Sequence, residues 1–204
     1  MISMEAKNQG LIAIHISVLL FGVAGIFGKL IDFPPIIIVL GRVFFAGIFL
    51  SFLLFYLNQK IKLKQKIDYF FLALLGVLLA FHWITFFQAI QMSTVAIGII
   101  SFSTFPIFTT FLEPIFLKEK LKLQNIILAF ITFGGVALII PNFEINNNIT
   151  QAVLWGIISG FSFSILSLCN KKYVQKYSPF VISFYQNLSA TFALMPFLFF
   201  YNQS

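Results

Sequence analysis

Acidic residues are the scarcest class in this sequence: six Asp and Glu against thirteen Lys and Arg in 204 positions. Charge of either sign totals 9%, with 60% hydrophobic residues, which excludes an ordinary soluble domain and a disordered chain alike. Cysteine occurs once, at Cys169, so no internal disulfide forms and no thiolate pair has metal-ligand spacing. His15 and His82 stand at no such spacing from a cysteine or carboxylate either, and no metal is expected. A nucleophile elbow, paired catalytic aspartates, an HExxH helix and a Gly-rich phosphate loop are all missing. The connections between apolar runs are too short to build a site outside a membrane. Neither an enzyme nor a cofactor is expected.

What the chain does have is long apolar runs, with a mean hydropathy of +1.00. About 20 apolar residues, each rising 1.5 Å, cross the roughly 30 Å of hydrocarbon in a bilayer. By that ruler seven spans appear, at 10–30, 36–57, 69–90, 94–117, 123–140, 151–170 and 178–201. All are expected to be helices, because lipid offers no partner for an unpaired backbone amide. The fold class is therefore an all-α polytopic membrane bundle with the lipid bilayer as its partner. The first run is too long for a signal-peptide core and lacks a small-x-small cleavage site, so it reads as a spanning helix.

The net charge of +7 could suggest nucleic acid, but the positive residues sit in short clusters between the spans, so no nucleic acid partner is expected. If the helices alternate, Lys7, Lys60, Lys62, Lys64, Lys66, Lys118, Lys120, Lys122, Lys171, Lys172 and Lys176 all fall on one side. The other side keeps Lys29, beside Asp32, and the loops around Gln91 and Asn146. The positive-inside rule then puts the N-terminus in the cytoplasm of a multi-pass inner-membrane protein.

A weak internal repeat is also visible. Gly10–Tyr56 and Gly156–Tyr201 each read as two helices joined through proline, Pro34-Pro35 in one and Ser178-Pro179 in the other. Aligning Pro35 with Pro179 sets Arg42 opposite Gln186. Equivalent units in opposite orientation, five helices apart, mark inverted-topology repeats. On this reading residues 10–140 form a first five-helix repeat and 151–204 the first two helices of a second, incomplete one.

Several polar groups within the spans need a reason to be there. Arg42, roughly 10 Å below the outer surface, either lines a cavity for an anionic or zwitterionic group or caps carbonyls of a neighbouring helix. His82 and Trp83 lie near its depth, as do Ser101 and Thr104. Together they are candidate substrate-binding residues, or else a packed, hydrogen-bonded histidine and an interfacial aromatic. Glu113 is a candidate gating or coupling carboxylate, or a charge at the interface paired with Lys118 or Lys120. Pro106 gives its helix a candidate hinge. Gly22, Gly25, Gly28, Gly156 and Gly160 read as packing positions.

Pro106-Ile107-Phe108, Leu112-Glu113-Pro114, Leu117-Lys118-Glu119-Lys120-Leu121 and Gly134-Gly135-Val136-Ala137-Leu138 resemble the EamA-type family of the drug/metabolite transporter superfamily. Arg42-Val43-Phe44-Phe45-Ala46 and Phe87-Gln88-Ala89-Ile90 support the likeness, which covers residues 10–140. It implies ten helices as two inverted repeats around a central cavity, and export or exchange of small organic metabolites by alternating access. Arg42 then matches the arginine of the second helix and Glu119 the acidic residue at the exit of the fourth. This chain departs in stopping after a seventh span, which leaves three readings. They are a carrier, an assembly with a second copy as a homodimer, and a non-transporting subunit or fragment that only packs with partner helices.

Overall fold

The computed structural model describes residues 4–118, 120–138 and 147–201, and every regular element among them is an α-helix. In order they are α1 (Met4–Leu30), α2 (Pro35–Tyr56), α3 (Lys66–Met92), α4 (Val95–Phe102), α5 (Phe105–Leu117), α6 (Leu123–Ala137), α7 (Asn148–Tyr173), α8 (Pro179–Leu194) and α9 (Phe197–Tyr201). Glu119 and the loop around Asn146 lie outside the described residues.

Among the described residues six stretches are long and apolar enough to cross a membrane, with α4 and α5 together making one and α8 with α9 another. The fifth expected span is a shorter helix, α6, of 15 residues, which at 1.5 Å per residue covers about 22 Å. The chain is a polytopic helical membrane protein.

Helix boundaries follow local chemistry. Pro35 and Pro179 each open a helix, where a missing N–H has no partner to lose. Thr94 and Ser178 cap α4 and α8 by accepting from the backbone N–H of Ile97 and Phe180. The span 94–117 is not one kinked helix. It breaks at Ser103–Thr104, because Pro106 has no N–H to return to the Phe102 carbonyl. The Ser103 hydroxyl donates to the Ile100 carbonyl (2.6 Å) and that of Thr104 to Ser101 (2.7 Å). The last span likewise breaks, at Met195–Pro196.

The centre of the bundle is α3, which packs against α7, α8, α2, α4 and α1. Two small-residue contacts set its neighbours' spacing. A Cβ on Gly156 of α7 would overlap the Ser101 side chain of α4, and one on Gly160 would lie 2.9 Å from the Thr104 hydroxyl. These glycines let α4 and α7 approach to backbone distance. By contrast α1 is exposed along residues 11–20, and α6 packs on α5.

The lysine clusters gather at one end of the bundle, called here the lysine-rich end. The opposite, far end carries Lys29, Asp32 and Gln91.

Candidate functional site

Toward the far end, α1, α2 and α3 enclose an open groove of about 400 Å³. Its walls are apolar, from Ala24, Phe27, Ile37, Ile38, Phe45 and Phe87, and its one charged residue is Arg42. The Arg42 guanidinium carbon sits 3.4 Å from the centroid of the Trp83 ring. Stacking of this kind contributes about 0.5–2 kcal/mol, and it leaves the guanidinium N–H groups unused. Arg42 is exposed, and among the described residues it makes no hydrogen bond or ion pair. Neither carbonyl capping nor a carboxylate explains it.

The platform under Arg42 is rigid. Trp83 is 8% exposed and packs against Phe21, Phe86 and Phe87 at ring separations of 5.5–5.6 Å. His82 adjoins it, ring to ring at 5.1 Å, and is 1% exposed. Its Nδ1 lies 2.9 Å from the Ser159 hydroxyl oxygen and 3.1 Å from the Ser159 carbonyl. A carbonyl can only accept, so we assign the imidazole proton to Nδ1. The Ser159 hydroxyl returns a hydrogen bond to the His82 carbonyl at 3.0 Å. The remaining Nε2 is buried without a partner, beside Phe102 and Phe163. His82 therefore ties α3 to α7 and shares the aromatic wall behind Arg42.

Ser101 and Thr104 lie elsewhere than the groove. Both are buried in the α4–α7 contact. The Ser101 hydroxyl donates to the carbonyl of Ile97 at 2.6 Å, and that of Thr104 to Ser101. Pro106 and Glu113 line a separate crevice of about 290 Å³ between α5 and α6, with Thr109, Thr110, Asn125 and Thr132. Glu113 pairs across to Lys171 of α7 at 3.4 Å, rather than with Lys118 or Lys120 on its own rim. The three threonine hydroxyls donate to carbonyls one turn back, so they face the crevice as acceptors.

At the far mouth, Lys29 donates to the carbonyls of Ile90 (3.3 Å), Gln91 (3.0 Å) and Ser93 (2.6 Å), closing the end of α3. The Gln91 amide donates to Phe33 at 2.8 Å. Lys29, Ile31, Asp32, Phe33 and Gln91 line a vestibule of about 450 Å³. Among the described residues, no group of three His, Cys, Asp or Glu could hold a metal. Sequence reasoning missed the roles of Ser159, Lys29 and Asp68. Asp68 is 2% exposed at the start of α3, and its only sequence signal is an acid standing next to a run of lysines.

The family described as the EamA-like transporter family matches residues 8–140 and 150–204. An uncharacterized transporter of Bacillus subtilis, YxxF, is 26% identical over 98% of this chain and 65% of its own length. An S-adenosylmethionine uptake transporter of Rickettsia bellii is 28% identical over 76% of this chain and 52% of its own. An uncharacterized transporter of Archaeoglobus fulgidus is 24% identical over 97% and 69%. The chain thus spans about half to two thirds of the length of these relatives. No solved structure matches.

Proposed function

The chain belongs to the EamA-like transporter family, and from that premise we propose that it carries small organic metabolites bearing a carboxylate across the cell's inner membrane. The observation that supports this most is the unpaired Arg42 guanidinium, stacked on Trp83 and facing an open apolar groove. A cation in such surroundings is unfavourable by about 2.5–3.5 kcal/mol or more unless something answers it, and a solute carboxylate answers it with two parallel hydrogen bonds. The rings of Phe27, Phe45 and Phe87 along the groove suit the flat or apolar remainder of the solute.

The relatives named S-adenosylmethionine uptake transporters nominate a first solute to test. S-adenosylmethionine offers a carboxylate to Arg42, and a purine and a sulfonium to the rings. We read the lysine-rich end as cytoplasmic by the positive-inside rule. Transport is by alternating access and exchange, which reconciles the export expected of the family with the uptake named for these relatives. Helices α1 to α4 line the path, with Arg42, His82 and Trp83 at its wall and Ser101 and Thr104 setting the α4–α7 spacing behind them. The Pro106 break and Glu113 belong to the inner half, as hinge and as gating or coupling carboxylate. The family match to two segments supports the reading of two repeats.

Proteoliposome flux with a panel of amino acids, S-adenosylmethionine and their decarboxylated counterparts tests this. Carboxylate-dependent flux in wild type, lowered roughly 10- to 100-fold in Arg42→Ala, is expected. Flux that ignores both the carboxylate and Arg42 would overturn the site.

A second reading is a membrane subunit that only packs with a second copy or other helices. It is favoured by the bare face of α1 along residues 11–20. Absence of flux for every solute, with a stable oligomer in detergent, would select it.

A further inference from the structure

The lysine-rich end carries a polar cluster that solute binding at Arg42 does not use. Asp68, in the first turn of α3, is 2% exposed. Its carboxylate accepts a hydrogen bond from the Tyr177 hydroxyl and lies 3.8 Å from the Lys176 ammonium. Both partners belong to the turn between α7 and α8.

The same turn holds the strap 57–65 that joins α2 to α3. The Tyr177 oxygen accepts the Lys64 N–H at 2.9 Å. Tyr69 of α3 accepts the Leu63 N–H at 3.1 Å, and Tyr185 of α8 donates to the Ile61 carbonyl at 3.2 Å. The Tyr69 and Tyr185 rings meet edge to face at 5.4 Å. Three tyrosines thus fasten one loop to three elements, and one of them, Tyr177, is held in turn by Asp68. Beneath the strap Leu63 is 4% exposed, packed in a cluster that also includes Leu54, Leu72 and the half-buried Cys169. Burial, and then the hydrogen bond to Asp68, push the Tyr177 hydroxyl above its ordinary range.

The contrast with the far end is one of access. There the groove and the vestibule are open, while at the lysine-rich end α3, α7 and α8 are closed on each other. The closing bonds are also replaceable. Asp68 lies within a turn of the helix end and Lys176 is half exposed, so water can take over both partners if the turn swings away.

We propose that the Asp68–Tyr177 contact is the latch of an inner gate, closed while the Arg42 groove is open, and released by outward movement of the α7–α8 turn with the strap. This rests on the alternating-access reading above. It predicts that the two ends respond in opposite directions when the latch is broken.

The chain has a single cysteine, Cys169, which serves as a native reporter under the strap. Full-length protein in membrane vesicles is labelled with a fluorescent maleimide as wild type, Asp68→Asn and Tyr177→Phe. A second set carries Cys169→Ser and Gly41→Cys, a groove position where an added Cβ meets no atom within 4 Å. Loss of one hydrogen bond to a charged group should raise the Cys169 labelling rate roughly tenfold in both variants and lower the rate at position 41. An unchanged Cys169 rate overturns the latch. A rise at Cys169 without a fall at position 41, or a rise at both, also overturns it, since the contact would then be only a structural staple. The readout needs no substrate. Opposite changes in labelling without flux would therefore sink the transport reading alone, and flux without them would sink the latch alone.

Discussion

Arg42 and Asp68 are both charged side chains on helices of the same bundle, and their surroundings differ at every step. Arg42 faces an open groove, stacked on one aromatic ring and otherwise without a partner among the described residues. Asp68 is enclosed, hydrogen-bonded to Tyr177 and close to Lys176. A buried charge with partners is what folding alone requires. A charge in an apolar groove that keeps its donors free is what a binding site requires. On the proposals above, ligand recognition belongs to the far half and closure to the lysine-rich half, within one set of helices.

Substitutions can break that contrast at either end. The largest effect is expected from Arg42→Ala. If the guanidinium holds the solute carboxylate, flux falls roughly 10- to 100-fold, the equivalent of about 1.5–3 kcal/mol for a charged hydrogen bond. Arg42→Lys keeps the charge but loses the planar stack on Trp83. It should recover only part of the flux, as judged by initial rates in proteoliposomes. Gly156→Val tests the spacer between the halves. Its side chain meets Ser101, and overpacking should lower stability by about 1–3 kcal/mol, measured as a lower melting temperature in detergent. Ser159→Ala removes the hydroxyl that joins His82 to α7 and should cost about 1 kcal/mol in the same assay. The smallest effect is expected from Lys171→Gln. Its pair with Glu113 is half exposed on the lysine side, so stability should change by less than about 1 kcal/mol. A larger loss would move Glu113 from the rim into the gate.

Hydropathy makes the helices legible because lipid imposes one rule on every span. It reads the α4–α5 break less well. Pro106 marks the region, but the chain turns at Ser103–Thr104, where the two hydroxyls donate to the Ile100 and Ser101 carbonyls. Counting residues along helices is enough to set Arg42, His82 and Trp83 at a common depth. It cannot reveal that Arg42 stacks on Trp83, which depends on the rotation of α2 and α3 about their axes. Ser101 and Thr104 share that depth yet face α7, for the same reason. Pairings distant in sequence are the least legible. Glu113 meets Lys171, 58 positions away, and Asp68 meets Tyr177, 109 positions away. In sequence Asp68 looks like a solvated charge beside lysines. Only the returning α7–α8 turn buries it.

The central claim is that Arg42 reads a carboxylate on the transported solute, and counterflow in proteoliposomes tests it most directly. Wild type and Arg42→Ala are compared on S-adenosylmethionine or an amino acid and on the matching methyl ester, which removes the carboxylate charge and little else. The expected result is a preference of wild type for the acid by about tenfold or more, as one charged hydrogen bond provides, and no preference in Arg42→Ala. Equal rates for acid and ester in wild type, or a preference that survives in Arg42→Ala, would contradict it.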